Sequence, residues 1–183
     1  MKKLLLITGD LAVGKSTFAE ILSKRYNITV MYKDKIKEIL GDTIGFSGRE
    51  ENIRLSVATM ELMTYLFSEF RELDHDVILE ANFKEKETEK LYNLAMAAGY
   101  NVLTLVLTAD MEIIYKRFVN RIENEKRHPV HICGFDGYDT LKNYIDLGRT
   151  QATFGERIDI SANDFSYQND EEILSLIDRF MGK

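Results

Sequence analysis

Gly9-Asp10-Leu11-Ala12-Val13-Gly14-Lys15-Ser16-Thr17 is the stretch on which the reading of this chain turns. It satisfies the pattern glycine, four residues, glycine, lysine, serine in full, and its flanks have the order such a phosphate loop requires. Lys2 to Thr8 is a short apolar run of strand length. From Thr17 to Tyr26, Phe18, Ile21 and Leu22 recur at helical spacing. Glycines let the backbone turn with its N–H groups inward, where they and the positive end of the following helix hold phosphate oxygens. Gly9 to Thr17 is therefore read as a nucleotide-triphosphate cradle. In that reading Lys15 reaches the β- and γ-phosphates and the Ser16 hydroxyl ligates Mg²⁺.

The 183 residues suit one domain over 1–183 and suffice to bury a large core. Hydrophobic content of 45% and charged content of 30% are those of a globular protein and not of a disordered one. A net charge of −6 argues against wrapping an extended nucleic acid, while leaving room for a local basic pocket around one phosphorylated group. Cys133 is the single cysteine, so no internal disulfide forms and a cytoplasmic setting is expected. Met1-Lys2-Lys3 followed by Leu4 to Ile7 superficially matches a signal peptide, but the apolar part is too short and runs straight into the phosphate loop. No stretch approaches the length of a membrane span.

Further along, Ile28 to Tyr32 reads as a second strand, followed by a brief helix with Ile36, Ile39 and Leu40 that Gly41 is expected to stop. Asp42 to Gly48 reads as a surface loop. Glu50 to Leu73 is a long helix with apolar residues on more than one face, hence expected to be largely buried. Asp76 to Ala81 is a third strand, Glu85 to Ala98 a helix and Asn101 to Thr108 a fourth strand. Asp110 caps a helix to about Asn124 with Met111, Ile114, Phe118 and Ile122 as its apolar stripe. Glu125 to Phe135 reads as a mobile polar excursion, Asp136 to Phe154 as a helix and Arg157 to Ser161 as a fifth strand. A last helix begins with Asn169 and Glu172 at capping-box spacing. Strands alternating with helices of these lengths predict an α/β protein: a parallel sheet with helices on both faces, wound right-handedly.

In such a sheet function gathers at the carboxyl ends of the strands. Glu80 ends the third strand and is read as an acid of the magnesium shell, the competing reading being an ordinary solvated glutamate. Asp34 follows the second strand. A hydroxyl acceptor must lose a proton during phosphoryl transfer and a phosphate acceptor need not, so Asp34 read as a general base points to an alcohol; the alternative is a helix cap. Arg117 and Arg121, one turn apart, and Arg127 beyond them fit a cationic lid over the transferring phosphates at about 117–135, against a solvated face with Arg121 paired to Glu125. Arg49 and Arg54 either bind an acidic group of the acceptor or are surface charges. His128, His131 and Cys133 lack a fourth ligand and fit no standard zinc spacing. Phe46, Tyr65 and Phe67 are read as core.

The phosphate loop, Asp34, the acid-ended strand Val77 to Glu80 and the run Tyr115-Lys116-Arg117-Phe118-Val119-Asn120-Arg121 together resemble the small P-loop kinases related to polynucleotide kinase, chloramphenicol phosphotransferase and the zeta toxins. The resemblance implies a three-layer P-loop NTPase fold with a five-stranded sheet in the order 2-3-1-4-5, which puts Glu80 beside the phosphate loop. It also implies a base at the place of Asp34 and lid arginines at Arg117 and Arg121. Two departures stand out: Glu80 where Asp is more usual, and an acceptor region, Lys33 to Arg54, without a family counterpart. The expected activity is transfer of a phosphoryl group from MgATP to a hydroxyl of a small molecule or a nucleic-acid end. The rivals are a nucleotide-driven switch or ATPase acting through a partner, and a nucleoside monophosphate kinase, which Asp34 disfavours because it would repel an anionic acceptor.

Overall fold

The structure is a computed structural model that describes residues 1–70, 72–125, 127–131, 135 and 137–183. Its elements in chain order are β1 (Lys2–Gly9), α1 (Lys15–Tyr26), β2 (Thr29–Tyr32), α2 (Lys33–Ile44), α3 (Arg49–Phe70), β3 (Val77–Glu80), α4 (Glu85–Ala97), β4 (Tyr100–Thr108), α5 (Met111–Asn124), α6 (Tyr138–Arg149), β5 (Glu156–Ser161) and α7 (Glu171–Met181). Short 3₁₀ turns occupy Pro129–His131 and Ser166–Asn169. The five strands form one parallel sheet in the order β2-β3-β1-β4-β5, as the resemblance implies.

Strand side chains alternate between faces, so β1 feeds two cores. Leu5 and Ile7 join Leu103, Leu105, Leu107 and Ile160 beneath α1, α5, α6 and α7. Leu4 and Leu6 join Val77 and Leu79 beneath α3 and α4. Each fully buried leucine here contributes about 2 kcal/mol of hydrophobic stabilisation. Burial on both faces explains why these strands read as near-continuous apolar runs.

Several local expectations are corrected. Gly41 does not end α2: it lies buried inside the helix, where a Cβ would run into Val130. The glycine is there for close packing, and the chain turns only at Gly45. Nor is α3 buried all round. Met60, Met63 and Phe67 face the core with Thr59 and Thr64, whose hydroxyls donate to the helix's own Leu55 and Met60 carbonyls at 2.7 and 2.8 Å, while Ile53 and Val57 are 54% and 58% exposed. Tyr65 and Ile122, expected inside, are also exposed. Asp170, not Asn169, caps α7, its Oδ1 accepting from the N–H groups of Glu172 and Ile173 at 2.9 and 3.1 Å.

The excursion after α5 is pinned where it is described. Val130 is fully buried, and its carbonyl accepts from Lys37 Nζ at 3.2 Å and Asn52 Nδ2 at 3.1 Å. His128 and His131 meet Asp42 and Glu38 of α2, both at 2.9 Å. Lys126, Cys133 and the neighbouring parts of the expected lid lie outside the described residues. Among the described residues no helix is long and apolar enough to cross a membrane.

Candidate active site

The phosphate loop leaves β1 at Gly9, whose φ of +122° only glycine adopts readily and where a Cβ would collide with the Leu107 backbone of β4. Ala12 also has a positive φ, +59°, a conformation that costs an L-residue about 1 kcal/mol and that curls the loop into a nest of inward N–H groups. Gly14 then caps α1 at φ +85°, with room for a Cβ denied by the Tyr167 hydroxyl at 2.7 Å. That hydroxyl donates to Val13 O at 2.8 Å and braces the loop from the side of α7. No side chain caps α1, and its first turn contains no acid. Its free N–H groups and dipole are therefore left for an anion from outside.

Lys15 is only 8% exposed and its Nζ donates to the carbonyls of Asp10 and Gly9, the latter at 3.3 Å. Burial pulls its pKa below the ordinary lysine value, against the opposing charges of Glu80, Asp34 and Asp10. Ser16 Oγ donates to Glu80 Oε2 at 3.0 Å. Glu80 is 5% exposed, and burial pushes its pKa up, with Asp34 adding to the rise and Lys15 and the Ser16 hydrogen bond opposing it. The register explains the meeting: Glu80 pairs with Ile7 on one side and Tyr32 on the other, so the end of β3 stands between the phosphate loop and the start of α2.

Asp34 lies in the first turn of α2, exposed, and its charge is felt at both Lys15 and Glu80. The cap position itself is held by Tyr32. The sheet thus brings Lys15, Ser16, Glu80 and Asp34 together from three different segments. Two adjoining oxygen ligands, the hydroxyl of the exposed Ser16 and the buried Glu80 carboxylate, suit a hard cation such as Mg²⁺, which takes one or two protein ligands and keeps the rest of its shell for phosphates and water.

The arginines divide. Arg121 is one-third exposed, stands 4.0 Å from Glu125 and is close enough for its charge to act on Lys15; burial, first of all, lowers its own pKa. Arg127 is close enough for its charge to act on Arg121. Arg117, expected beside the phosphates, instead donates to the carbonyls of Ala162 and Asn163 at 2.7 and 2.8 Å and lies 4.3 Å from the Phe165 ring centre. Phe165 in turn abuts Gly14. Arg54 pairs with Glu50 at 2.7 Å on the surface.

Asp10 departs from a plain phosphate-cradling role. Its carboxylate, 3% exposed, turns away from the loop to accept from Ala109 N at 3.0 Å and from Arg149 Nη2 and Nε at 2.7 and 3.2 Å. Arg149 also donates to Ala109 O, and its hydrogen bond to Asp10 holds its pKa above the ordinary arginine value. Arg149, Tyr167 and Phe165 escaped the sequence reading, because nothing in their neighbourhood marks them; only the fold carries them to the loop.

Solved structures share this fold. A candidate kinase from Chloroflexus aurantiacus superposes with TM-score 0.79 at 22% identity, over 99% of this chain and 96% of its own. A gluconokinase from Sinorhizobium meliloti follows at TM-score 0.62 and 11% identity (97% and 93% covered), and a shikimate kinase from Aquifex aeolicus at 0.56 and 17% (98% and 99%). The fold is therefore that of small P-loop kinases. No curated protein matches the chain. Residues 5–133, more than half of the chain and including the loop, Asp34, Glu80 and the α5 arginines, match the AAA_18 model, described as an AAA domain, and the protein belongs to that family.

Proposed function

We propose that the protein is an ATP-dependent phosphotransferase acting on a hydroxyl of a small molecule or a nucleic-acid end, with residues 1–183 as one kinase domain and a lid at about 117–135. The observation that carries this reading is the convergence of Lys15, Ser16, Glu80 and Asp34 at the uncapped N-terminus of α1. A finer kinship with the polynucleotide kinase, chloramphenicol phosphotransferase and zeta toxin group rests on the sequence resemblance alone. The kinase fold of the solved relatives, and the small-molecule acceptors named for some of them, support the same class.

In this mechanism the loop from Gly9 to Thr17 and the first turn of α1 bind the triphosphate, and Lys15 leaves its backbone carbonyls for the β- and γ-phosphates. Ser16 and Glu80 hold Mg²⁺, which supplies neutralisation of the phosphate oxygens when bound. The acceptor oxygen forms its bond to the γ-phosphorus as the bond to the bridging oxygen breaks and ADP leaves. The acceptor proton passes to Asp34. Arg121 and Arg127 offset charge on the transferring group, and Arg117 holds the Ala162–Phe165 wall against the loop. A cytoplasmic setting accords with the single cysteine.

Incubating the protein with γ-labelled ATP, Mg²⁺ and a broad library of hydroxyl compounds tests the reading. Label is expected on at least one acceptor, with ADP formed in equal amount. ATP hydrolysis without transfer to any compound, together with capture of a partner only in the ATP state, would replace the kinase by the switch.

A further inference from the structure

A cavity of about 700 Å³ opens on the sheet face opposite α1, behind the phosphate loop. Its floor follows from strand alternation. Ile7, Leu105, Leu107, Ile158 and Ile160 point into the α1-side core, so Thr8, Val106, Thr108, Arg157, Asp159 and Ser161 share the other face, and all six line the cavity. The roof is the end of α6 and the chain that follows it, with Tyr144 and Ala152; one side wall is Phe83, just after β3. This chain is fixed to α4 by Gln151, whose Oε1 accepts from Glu85 N at 3.1 Å, and by Phe154 against Tyr92, ring centres 5.7 Å apart. Lys15, Ser16, Asp34 and Glu80 are not among its lining residues, so it is a separate space from the proposed transfer site.

The geometry points to a second binding site here, for a neutral, hydroxyl-rich ring of monosaccharide or cyclic-polyol type. Volume and enclosure are those of a small-molecule site. The ionisable lining groups are Asp10, Asp110 and Asp159 against Lys84, Arg149 and Arg157, three of each sign, so the wall selects neither a strong anion nor a strong cation. Most are already paired: Arg149 with Asp10, Arg157 with Asp159 at 2.6 Å and Asp110 with Asn163 Nδ2 at 3.0 Å. Paired side chains keep spare lone pairs and N–H groups that hydroxyls, each both donor and acceptor, can meet without stranding a charge. Threonine and serine hydroxyls extend that surface, and the Phe83 and Tyr144 rings offer apolar faces for C–H edges. The site also touches the nucleotide cradle at Gly9 and at Asp10, whose carboxylate is held by the cavity-wall Arg149.

Amide chemical shifts of the full-length protein, titrated with D-glucose, D-ribose and myo-inositol and with D-glucuronate and inorganic phosphate as anionic controls, test the site. At least one neutral probe should saturably move Thr8, Thr108 and Ser161, with a Kd of about 1 mM or tighter. Ala152→Trp, in the exposed roof, should fill the space and weaken that probe at least about tenfold with affinity for an MgATP analogue unchanged. Arg157→Ala should do the same by removing wall hydrogen bonds, and stands in if the tryptophan variant does not fold. The proposal is overturned if no neutral probe moves these amides, if the anions move them equally, or if the shifts lie at residues 33–35 and 80–81 and survive both variants. Loss of phosphoryl transfer alone, with probe binding intact, counts against the kinase reading and leaves this site standing.

Discussion

Ser16 Oγ donates to Glu80 Oε2 at 3.0 Å, joining the first turn of α1 to the end of β3 across 64 residues. Burial raises the pKa of Glu80, so its carboxylate takes up a proton at a higher pH than an ordinary glutamate does. Only the ionised form ligates a cation. Mg²⁺-dependent nucleotide affinity should therefore fall as pH is lowered through that raised value, and Glu80→Gln should bind weakly with a flat profile. Calorimetric titration across acid pH measures both; a wild-type profile as flat as that of the variant removes Glu80 from the metal shell.

Asp34→Asn keeps size and polarity but cannot accept the proton. Transfer should drop by about two to four orders of magnitude, the usual contribution of a general base, with MgATP affinity nearly unchanged. An equal loss of nucleotide affinity would make Asp34 a structural residue of α2.

Lys15 is a buried cation whose pKa is depressed chiefly by desolvation. A depressed folded-state pKa means that its favourable contribution is present above the ordinary lysine value of 10.5 and is lost as pH falls through the folded value, so at neutral pH the charged form is a cost to the free protein. Lys15→Met should leave the nucleotide-free protein as stable or more stable, by about 1 kcal/mol, while abolishing stabilisation by MgATP. Thermal unfolding with and without MgATP reads both outcomes. A destabilised variant would show that Lys15 holds the empty loop together.

Asp10 and Arg149 form a partly buried pair that ties the loop to α6. Asp10→Ala removes the acceptor of two Arg149 bonds and of Ala109 N, and should cost about 2 kcal/mol, less than a fully buried pair because Arg149 is 37% exposed. Urea unfolding should show a lower midpoint at constant slope. An unchanged midpoint would leave the pair without a stabilising role.

The segment carrying Arg121 and Arg127 ends on a latch, Val130 against Gly41 of α2. Hydrogen exchange at 117–131 should slow when Mg²⁺ and a non-hydrolysable ATP analogue are added, because bound phosphates offset the mutual repulsion of the arginines. Gly41→Ala favours α2 by about 1 kcal/mol in intrinsic propensity but drives a methyl into Val130, so exchange at 128–131 should speed up. Unchanged exchange at 117–131 with protection at Gly9–Thr17 would return these arginines to a solvated face.

Much of this was legible in one dimension because its causes are local. Glycines that permit positive φ, a lysine and serine at fixed offsets, and apolar runs alternating with helical periodicity act over a few residues each. The errors arose where a local signal had a distant cause. Gly41 looked like a helix stop and is a packing site for Val130; α3 looked two-sided because periodicity cannot tell which apolar stripe the next layer will cover.

The sequence by itself determined the phosphate loop, the alternation of strands and helices and, through both, a parallel P-loop sheet whose chemistry lies at its carboxyl ends. Only the tertiary structure decided that Glu80 meets Ser16, that Arg149 crosses 139 residues to reach Asp10, and that β5 leaves a polar face over an open cavity. The reason is that pairing between remote segments is set by sheet register and by the packing of whole layers. No residue carries that information in its immediate neighbours.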